Sequence, residues 1–193
     1  MGQVKITIAR QYGSGGREIG RRLAQKLSIP FYGKTELMEL AKTQPDYQEV
    51  RSFYEEQPVN SLLYAIAMEN FEQNIGEKPF GCIRNVCAKE PCILLGRCGN
   101  YIFRDEPDTV RIFLCSSREN RIQRLMDSYA LDRKKAERAV RDTDEARESF
   151  HRYYTHEAWG QAEHYDLCVD SLALSLDHTV EFLMDYLRYR GLV

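Results

Sequence analysis

The sequence lacks any hydrophobic run near the about 20 residues that a bilayer-crossing helix needs, so no transmembrane segment and no membrane partner are expected. Its opening, Met1-Gly-Gln-Val-Lys-Ile6, is too short an apolar stretch for a secretory signal and has no convincing cleavage site. Position 6 is Ile6, so the hydroxyl residue of a myristoylation signal is missing, and the expected compartment is the cytoplasm. Neither charge sign dominates: 27 Lys and Arg stand against 29 Asp and Glu, a net charge of −2. That balance argues against nucleic acid as a partner through a broadly basic surface, but it leaves room for a local cationic site. None of the 6 cysteines forms C-x-x-C, and no close pair faces spaced histidines, so neither a disulfide framework nor a zinc site is expected. They read as reduced thiols, with Cys115 and Cys168 as small buried ones inside apolar runs. His151, His156, His164 and His178 show no metal spacing either, and the metal ligands stay unknown. Nothing in the sequence fixes the oligomeric state.

What is present is an ordinary globular composition, 43% hydrophobic and 29% charged, in a chain of 193 residues that can bury a core without staples. Val4 to Ala9 reads as a β-branched strand running into Gly13-Ser-Gly-Gly16, followed by a helix with Ile19, Leu23, Ala24 and Leu27 at helical spacing. Phe31-Tyr32 reads as a short second strand. The apolar runs Cys92 to Leu95, Val110 to Cys115 and Tyr165 to Val169 fit strands of a parallel sheet, which are covered by helices on both faces. Helices are expected over Glu36 to Lys42, Leu62 to Asn74, Arg118 to Tyr129, Asp132 to Tyr154 and Leu176 to Tyr189. Strand and helix alternate without a repeat or a linker. The reading is a single α/β domain over 1–193, with a five-stranded parallel sheet between helical layers and the first strand central.

Strand, glycine-rich turn and helix form the arrangement that binds phosphate, because small residues let backbone N–H groups converge on an anion at a helix N-terminus. Here the turn is Arg10-Gln-Tyr-Gly-Ser-Gly-Gly-Arg17, and Arg10, Gly13, Ser14, Gly15, Gly16 and Arg17 are the candidate phosphate-binding residues. The loop departs from G-x-x-x-x-G-K-[ST]. Neither register supplies the lysine, and the hydroxyl position falls on Glu18 when Gly16 is the last glycine. Arg10 and Arg17 flank the glycines and can supply the absent cation.

The segments Ile8 to Gly20, Leu27 to Tyr32, Leu95-Gly-Arg-Cys-Gly-Asn-Tyr-Ile102, Asp142 to Arg152, Trp159-Gly160 and Tyr165 to Asp170 together resemble the cytidylate kinase-like family, relatives of nucleoside monophosphate kinases. The resemblance covers nearly the whole chain. It implies a P-loop kinase fold, ATP and Mg2+ as cofactors, and transfer of the γ-phosphoryl group to a small phosphate acceptor, a nucleoside monophosphate such as CMP. It also implies a helical acceptor-side insert over about 34–90 and a helical lid over about 130–160. An ungapped comparison with cytidylate kinases proper sets their P-loop lysine against Gly16 and their threonine against Glu18, and Gly33 stands where the family tends to carry aspartate.

Arginine suits phosphoryl transfer because its planar fork holds phosphate oxygens in pairs. Arg97 follows a strand end, at the sheet edge where ligands sit, and matches the glycine–arginine step that contacts the acceptor in the family. Arg141, Asp144 and Arg147 fall on the lid-like segment at i, i+3 and i+6, so Asp144 can orient either arginine toward the transferring group. One of Arg118, Arg121 and Arg124 can also reach phosphate. Tyr153, Tyr154 and Trp159 can stack on a base but are expected rather to dock the lid helix, and Glu55-Glu56 can bind magnesium or an acceptor but is expected rather to be a solvated pair. Two other functions stay open. One is a nucleotide-binding protein without catalysis, favoured by the absent lysine and hydroxyl. The other is a kinase for a non-nucleotide acceptor, favoured by Gly33.

Overall fold

The structure, a computed structural model, describes residues 4–42, 47–59 and 75–193. The strands are β1 (Lys5–Arg10), β2 (Phe31–Tyr32), β3 (Cys92–Leu95), β4 (Thr109–Cys115) and β5 (Leu167–Asp170). The helices are α1 (Gly16–Leu27), α2 (Lys34–Ala41), α3 (Tyr47–Tyr54), α4 (Glu77–Cys87), the single turn α5 (Gly99–Ile102), α6 (Arg118–Tyr129), α7 (Arg133–Thr155) and α8 (Leu176–Tyr189), with a 3₁₀ turn at Ala162–His164. The sheet is five-stranded in the order β2-β3-β1-β4-β5, all pairs are parallel and β1 is central. The helix expected over Leu62 to Asn74 lies outside the described residues.

The strands form where the sequence is apolar on both faces. Along β1, Ile6 and Ile8 point to one side, where they pack with Ile19 and Leu23 of α1 and with Val180, Leu183 and Leu187 of α8. In β3, Ile93 and Leu95 join that cluster, while Cys92 and Leu94 face Phe53, Phe80, Ile102 and Phe150 on the opposite side. Period-two alternation thus divides the core into two layers around the sheet. Cys168 corrects the sequence reading: it is exposed, because β5 is an edge strand with an open flank. Cys115 is half-buried. Among the described residues no helix is long and apolar enough to cross a membrane.

Helix starts differ in how they are capped, and α1, like α2, α4 and α5, has no side-chain cap. Ser117, Asp132 and Ser175 cap α6, α7 and α8 by accepting from the amides of Asn120, Lys135 and His178. Helix α1 starts at Gly15 with no side-chain cap. The Glu18 and Ile19 amides donate to the Gly15 carbonyl at 2.9 and 3.0 Å, which leaves the Gly16 and Arg17 amides for an external acceptor at the carboxyl edge of the central strand.

Candidate functional site

The turn between β1 and α1 is fixed from three directions. The Gln11 amide donates to the Leu114 carbonyl at 2.9 Å, and the Gln11 side chain accepts from the Ser116 amide at 3.1 Å. Ser14 is fully buried; its Oγ donates to the Gln11 carbonyl at 2.8 Å, and its own carbonyl accepts from Ser171 Oγ at 2.6 Å. The Tyr12 amide donates to Asp144 at 2.7 Å, and the Tyr12 carbonyl accepts from Arg121 at 3.0 Å. Gly13 and Gly15 have φ of +84° and +79°, the left-handed region that glycine enters without strain. A Cβ at Gly16 would lie 2.8 Å from Cβ of Arg10. The Arg10 side chain therefore packs against Gly16 and leaves no room there for a side chain.

A cleft of about 620 Å³ opens in front of this turn. Arg10, Arg17, Arg21, Arg22, Lys34, Arg97, Arg124 and Arg147 line it, against only Glu18 and Glu56 among acidic residues. The charge is local, as the near-neutral total requires. Some of these cations have neighbours: Arg17 donates to Thr35 Oγ1 at 3.1 Å, Arg21 to Glu36 at 2.8 Å and Arg124 to Glu18 at 3.0 Å.

At the inner end of the cleft, Arg10, Glu56, Arg97 and Arg147 converge. Arg10 holds Glu56 with two bonds of 3.1 and 3.0 Å. Arg97 approaches the same carboxylate with its backbone amide at 3.2 Å and its guanidinium at 3.2 Å. Arg147 donates to the Arg10 carbonyl at 2.9 Å, and its charge acts on Glu56. Burial alone would raise the Glu56 carboxyl, but Arg10 and then Arg97 outweigh it and hold the group well below the usual carboxylate range. Burial, then repulsion from Arg10, lowers Arg147 to about 9. Arg97 is pulled down by burial, and Glu56 opposes that shift.

Several sequence readings are corrected here. Glu56 is not a solvated partner of Glu55 but the centre of an arginine cluster. Glu55 instead pairs with Arg51 one helical turn back, at 3.1 Å. Arg97 is only 1% exposed and also donates to the carbonyls of Tyr54 and Leu95, so its guanidinium is committed to this fold as well as to the cleft. Asp144 bonds directly not to Arg141 or Arg147 but to Arg121 of α6, at 2.5 Å, and acts on Arg147 only through its charge. Arg141 is exposed, bonded to Asp142 at 2.8 Å, and lines a separate groove with Arg118 and Trp159. Position on α7 explains the difference, because Arg141 and Arg147 lie roughly 120° apart around the helix at 100° per residue. Tyr154 packs on Phe53 at 4.8 Å and Trp159 on Phe113 at 5.3 Å, both as docking contacts.

An anionic polyphosphate suits the uncapped turn of α1 and the cationic cleft. Protein ligands for magnesium are another matter. Ser14 Oγ is committed to Gln11, Glu18 is tied to Arg22 and Arg124, and among the described residues no three His, Cys, Asp or Glu side chains group as metal ligands. The residues fit the polyphosphate and do not build a protein-held metal site.

A parallel sheet with a glycine turn at the carboxyl edge of its central strand, between two helical layers, is the fold of P-loop kinases. The chain belongs to the cytidylate kinase-like family, whose model matches residues 5–173. Among solved structures, an uncharacterized protein from Eubacterium ventriosum ATCC 27560 is 28% identical with a TM-score of 0.75, covering 97% of this chain and 99% of that one. A shikimate kinase from Acinetobacter baumannii in complex with shikimate is 13% identical with a TM-score of 0.55, over 100% and 97% of the two chains. A gluconokinase from Sinorhizobium meliloti 1021 is 15% identical with a TM-score of 0.54, over 97% of each chain. These last two likenesses are of fold. No curated protein matches the chain.

Proposed function

We propose that the protein transfers a phosphoryl group from ATP to a small acceptor, and that the acceptor is a nucleoside monophosphate such as CMP. The observation that carries this reading is the uncapped start of α1 facing a strongly cationic cleft at the carboxyl edge of β1. ATP, when bound, supplies the phosphoryl group. The amides of residues 13–17 bind its phosphates, and magnesium arrives on the nucleotide's own oxygens rather than on protein ligands. Arg10 takes over the charge of the absent lysine, as a fork rather than a point. Arg147, projecting from α7 as part of the lid, stabilises charge that develops on the transferring group. Arg97 holds the acceptor side. Membership in a kinase-like family and the fold shared with two kinases of small acceptors support phosphoryl transfer.

A second reading is a nucleotide-binding protein without turnover. The commitment of Ser14 Oγ to a backbone carbonyl favours it, since that hydroxyl is not free for metal. ADP release, measured with ATP, magnesium and a panel of nucleoside monophosphates and hydroxy acids, separates the readings. Acceptor-dependent ADP with CMP is the expected result. ATP binding without acceptor-dependent ADP would establish the second reading instead.

A further inference from the structure

The cluster at the inner end of the cleft has an unusual composition. Three guanidinium groups, from Arg10, Arg97 and Arg147, surround one carboxylate, that of Glu56. The nearby Asp144 acts on Arg147, but it is paired with a fourth arginine, Arg121, so it does not change the balance. The cluster therefore carries a surplus of two positive charges in a region largely removed from water.

Glu56 is also held in an unfavourable backbone conformation. Its φ is +48°, a left-handed value that a side-chain-bearing residue adopts at a cost. Its carboxylate is held by long-range partners: Arg10 lies 46 residues away and the Arg97 amide 41. Behind the carboxylate lies a cavity of about 20 Å³, lined among others by Thr7, Asn100 and His151. Thr7 Oγ1, Asn100 Nδ2 and His151 Nε2 are buried without a hydrogen-bond partner. That space admits one water molecule, not a phosphate. No phosphate reaches the arginines from this side; on the cleft side, which the three arginines and Glu56 line together, the carboxylate holds the guanidinium bonds that a phosphate would take.

We propose that Glu56 is a specificity-determining residue that acts as a built-in counter-anion, occupying the arginine site until the dianionic phosphate of the acceptor exchanges for it. A carboxylate returns one negative charge to three cations, whereas a phosphate monoester brings roughly −1.5 to −2 at neutral pH. It also brings three acceptor oxygens for the guanidinium forks. Exchange thus selects phosphorylated acceptors over carboxylic acids, which would replace Glu56 with a group of the same charge and gain nothing. The identity of the acceptor rests on the proposed phosphoryl transfer, but the exchange itself is a binding event that needs no ATP.

Titration calorimetry of the full chain with inorganic phosphate, without nucleotide, tests it. Glu56→Gln keeps the shape and removes the competing charge, so it is expected to bind phosphate at least tenfold more tightly than the unaltered protein. Acetate is expected to gain less than phosphate. In thermal denaturation, E56Q is expected to melt lower than the unaltered protein and to recover with phosphate, which replaces the lost counter-charge. The double variant E56Q/R147Q is expected to lose the gain. If E56Q does not fold, Glu56→Asp, with a shorter reach to Arg10, is expected to bind phosphate more tightly than the unaltered protein. Equal or weaker phosphate binding by the folded variant would overturn the proposal and leave Glu56 as a positioning group for the arginines. A gain that survives in E56Q/R147Q would also overturn it, since the phosphate would then sit on the glycine turn. Absence of acceptor-dependent ADP would count against the kinase reading alone.

Discussion

The inner cluster of Arg10, Glu56, Arg97 and Arg147 and the outer charge ladder of α7 are built from the same residue types and behave differently. On the outer face, Arg133 pairs with Glu137, and Arg138 and Arg141 with Asp142, each between neighbours on one exposed helix. Water screens these pairs and can replace either partner, so each is a weak tie. In the inner cluster the partners come from β1, the turn after α3, the turn after β3 and α7. There, removing one member leaves a buried charge without its counterweight. Local pairing therefore organises a surface, while long-range pairing makes a site that a ligand can re-equilibrate.

The largest expected effect is kinetic and falls on Arg147, the arginine of α7 that lines the cleft. Arg147→Ala is expected to lower kcat about 10³-fold, by analogy with arginine fingers, because a cation at the transferring group acts on charge that develops in the transition state. KM for the acceptor should rise as well, because Arg147 also belongs to the cluster proposed to take the acceptor phosphate, but by less than kcat falls. Steady-state ADP release over a range of acceptor concentrations separates the two parameters. An equal rise in KM with kcat unchanged would move Arg147 from the transferring group to ground-state binding.

Next comes the stability of the inner cluster. Arg97→Met removes a buried cation, leaves Glu56 under-balanced and strips donors from the Tyr54 carbonyl. The expected cost is about 4 kcal/mol, which for a chain of this size lowers Tm by roughly 10 °C. Thermal denaturation followed by circular dichroism measures it. A fall of only one or two degrees would mean that the cluster relaxes around the gap, as a surface pair does.

Acidification sharpens the same comparison. His151 lies on the buried side of α7, where burial and then His164 lower it to about 4 from an ordinary value near 6.5. Its folded value lies below its unfolded one, so its contribution is fully present above about pH 6.5 and is lost as pH falls toward 4. The loss amounts to roughly 3 kcal/mol. Glu56 has the same sign with a lower window: its contribution is present above the ordinary carboxylate range near 4.3 and is lost below it. Chemical denaturation at stepped pH should show two successive declines, the upper one absent in His151→Gln.

How much of this was legible in the sequence follows from the same division between local and distant. The five strands were readable because parallel strands covered on both faces are written as short apolar runs, as in Cys92 to Leu95. The bounds of α6 and α8 were readable because Ser117 and Ser175 supply caps at their starts. The glycine turn declared itself because its chemistry lies within eight consecutive residues. The inner cluster did not, since its bonds span 41, 46 and 137 residues, and no local pattern sets Glu56 apart from Glu55. Asp144 was misdirected for the related reason that spacing on a helix tells which residues are neighbours, not what a second helix offers. Arg121 of α6, closer to the glycine turn, outcompeted both local arginines.

The smallest expected effect is that of Arg141→Ala. Its side chain is more than half exposed, its bond is to Asp142 beside it, and it borders the groove on the far side of the turn. Nothing in that arrangement brings its charge to the cleft, so Tm should not change measurably and kcat should stay within about threefold of the unaltered protein, the range of a surface substitution. The measurement is informative because the resemblance of this segment to a kinase lid implies that Arg141 meets ATP. A loss of more than tenfold in kcat, with Tm unchanged, would mean that α7 turns through roughly 120° when the cleft closes, bringing Arg141 in and carrying Arg147 away. Arg147→Ala and Arg141→Ala would then each be costly at different steps, and the division of α7 into an inner and an outer face would describe only the open protein. A negligible effect keeps the two faces distinct throughout the reaction and leaves Arg147 as the α7 cation that acts on the transferring group.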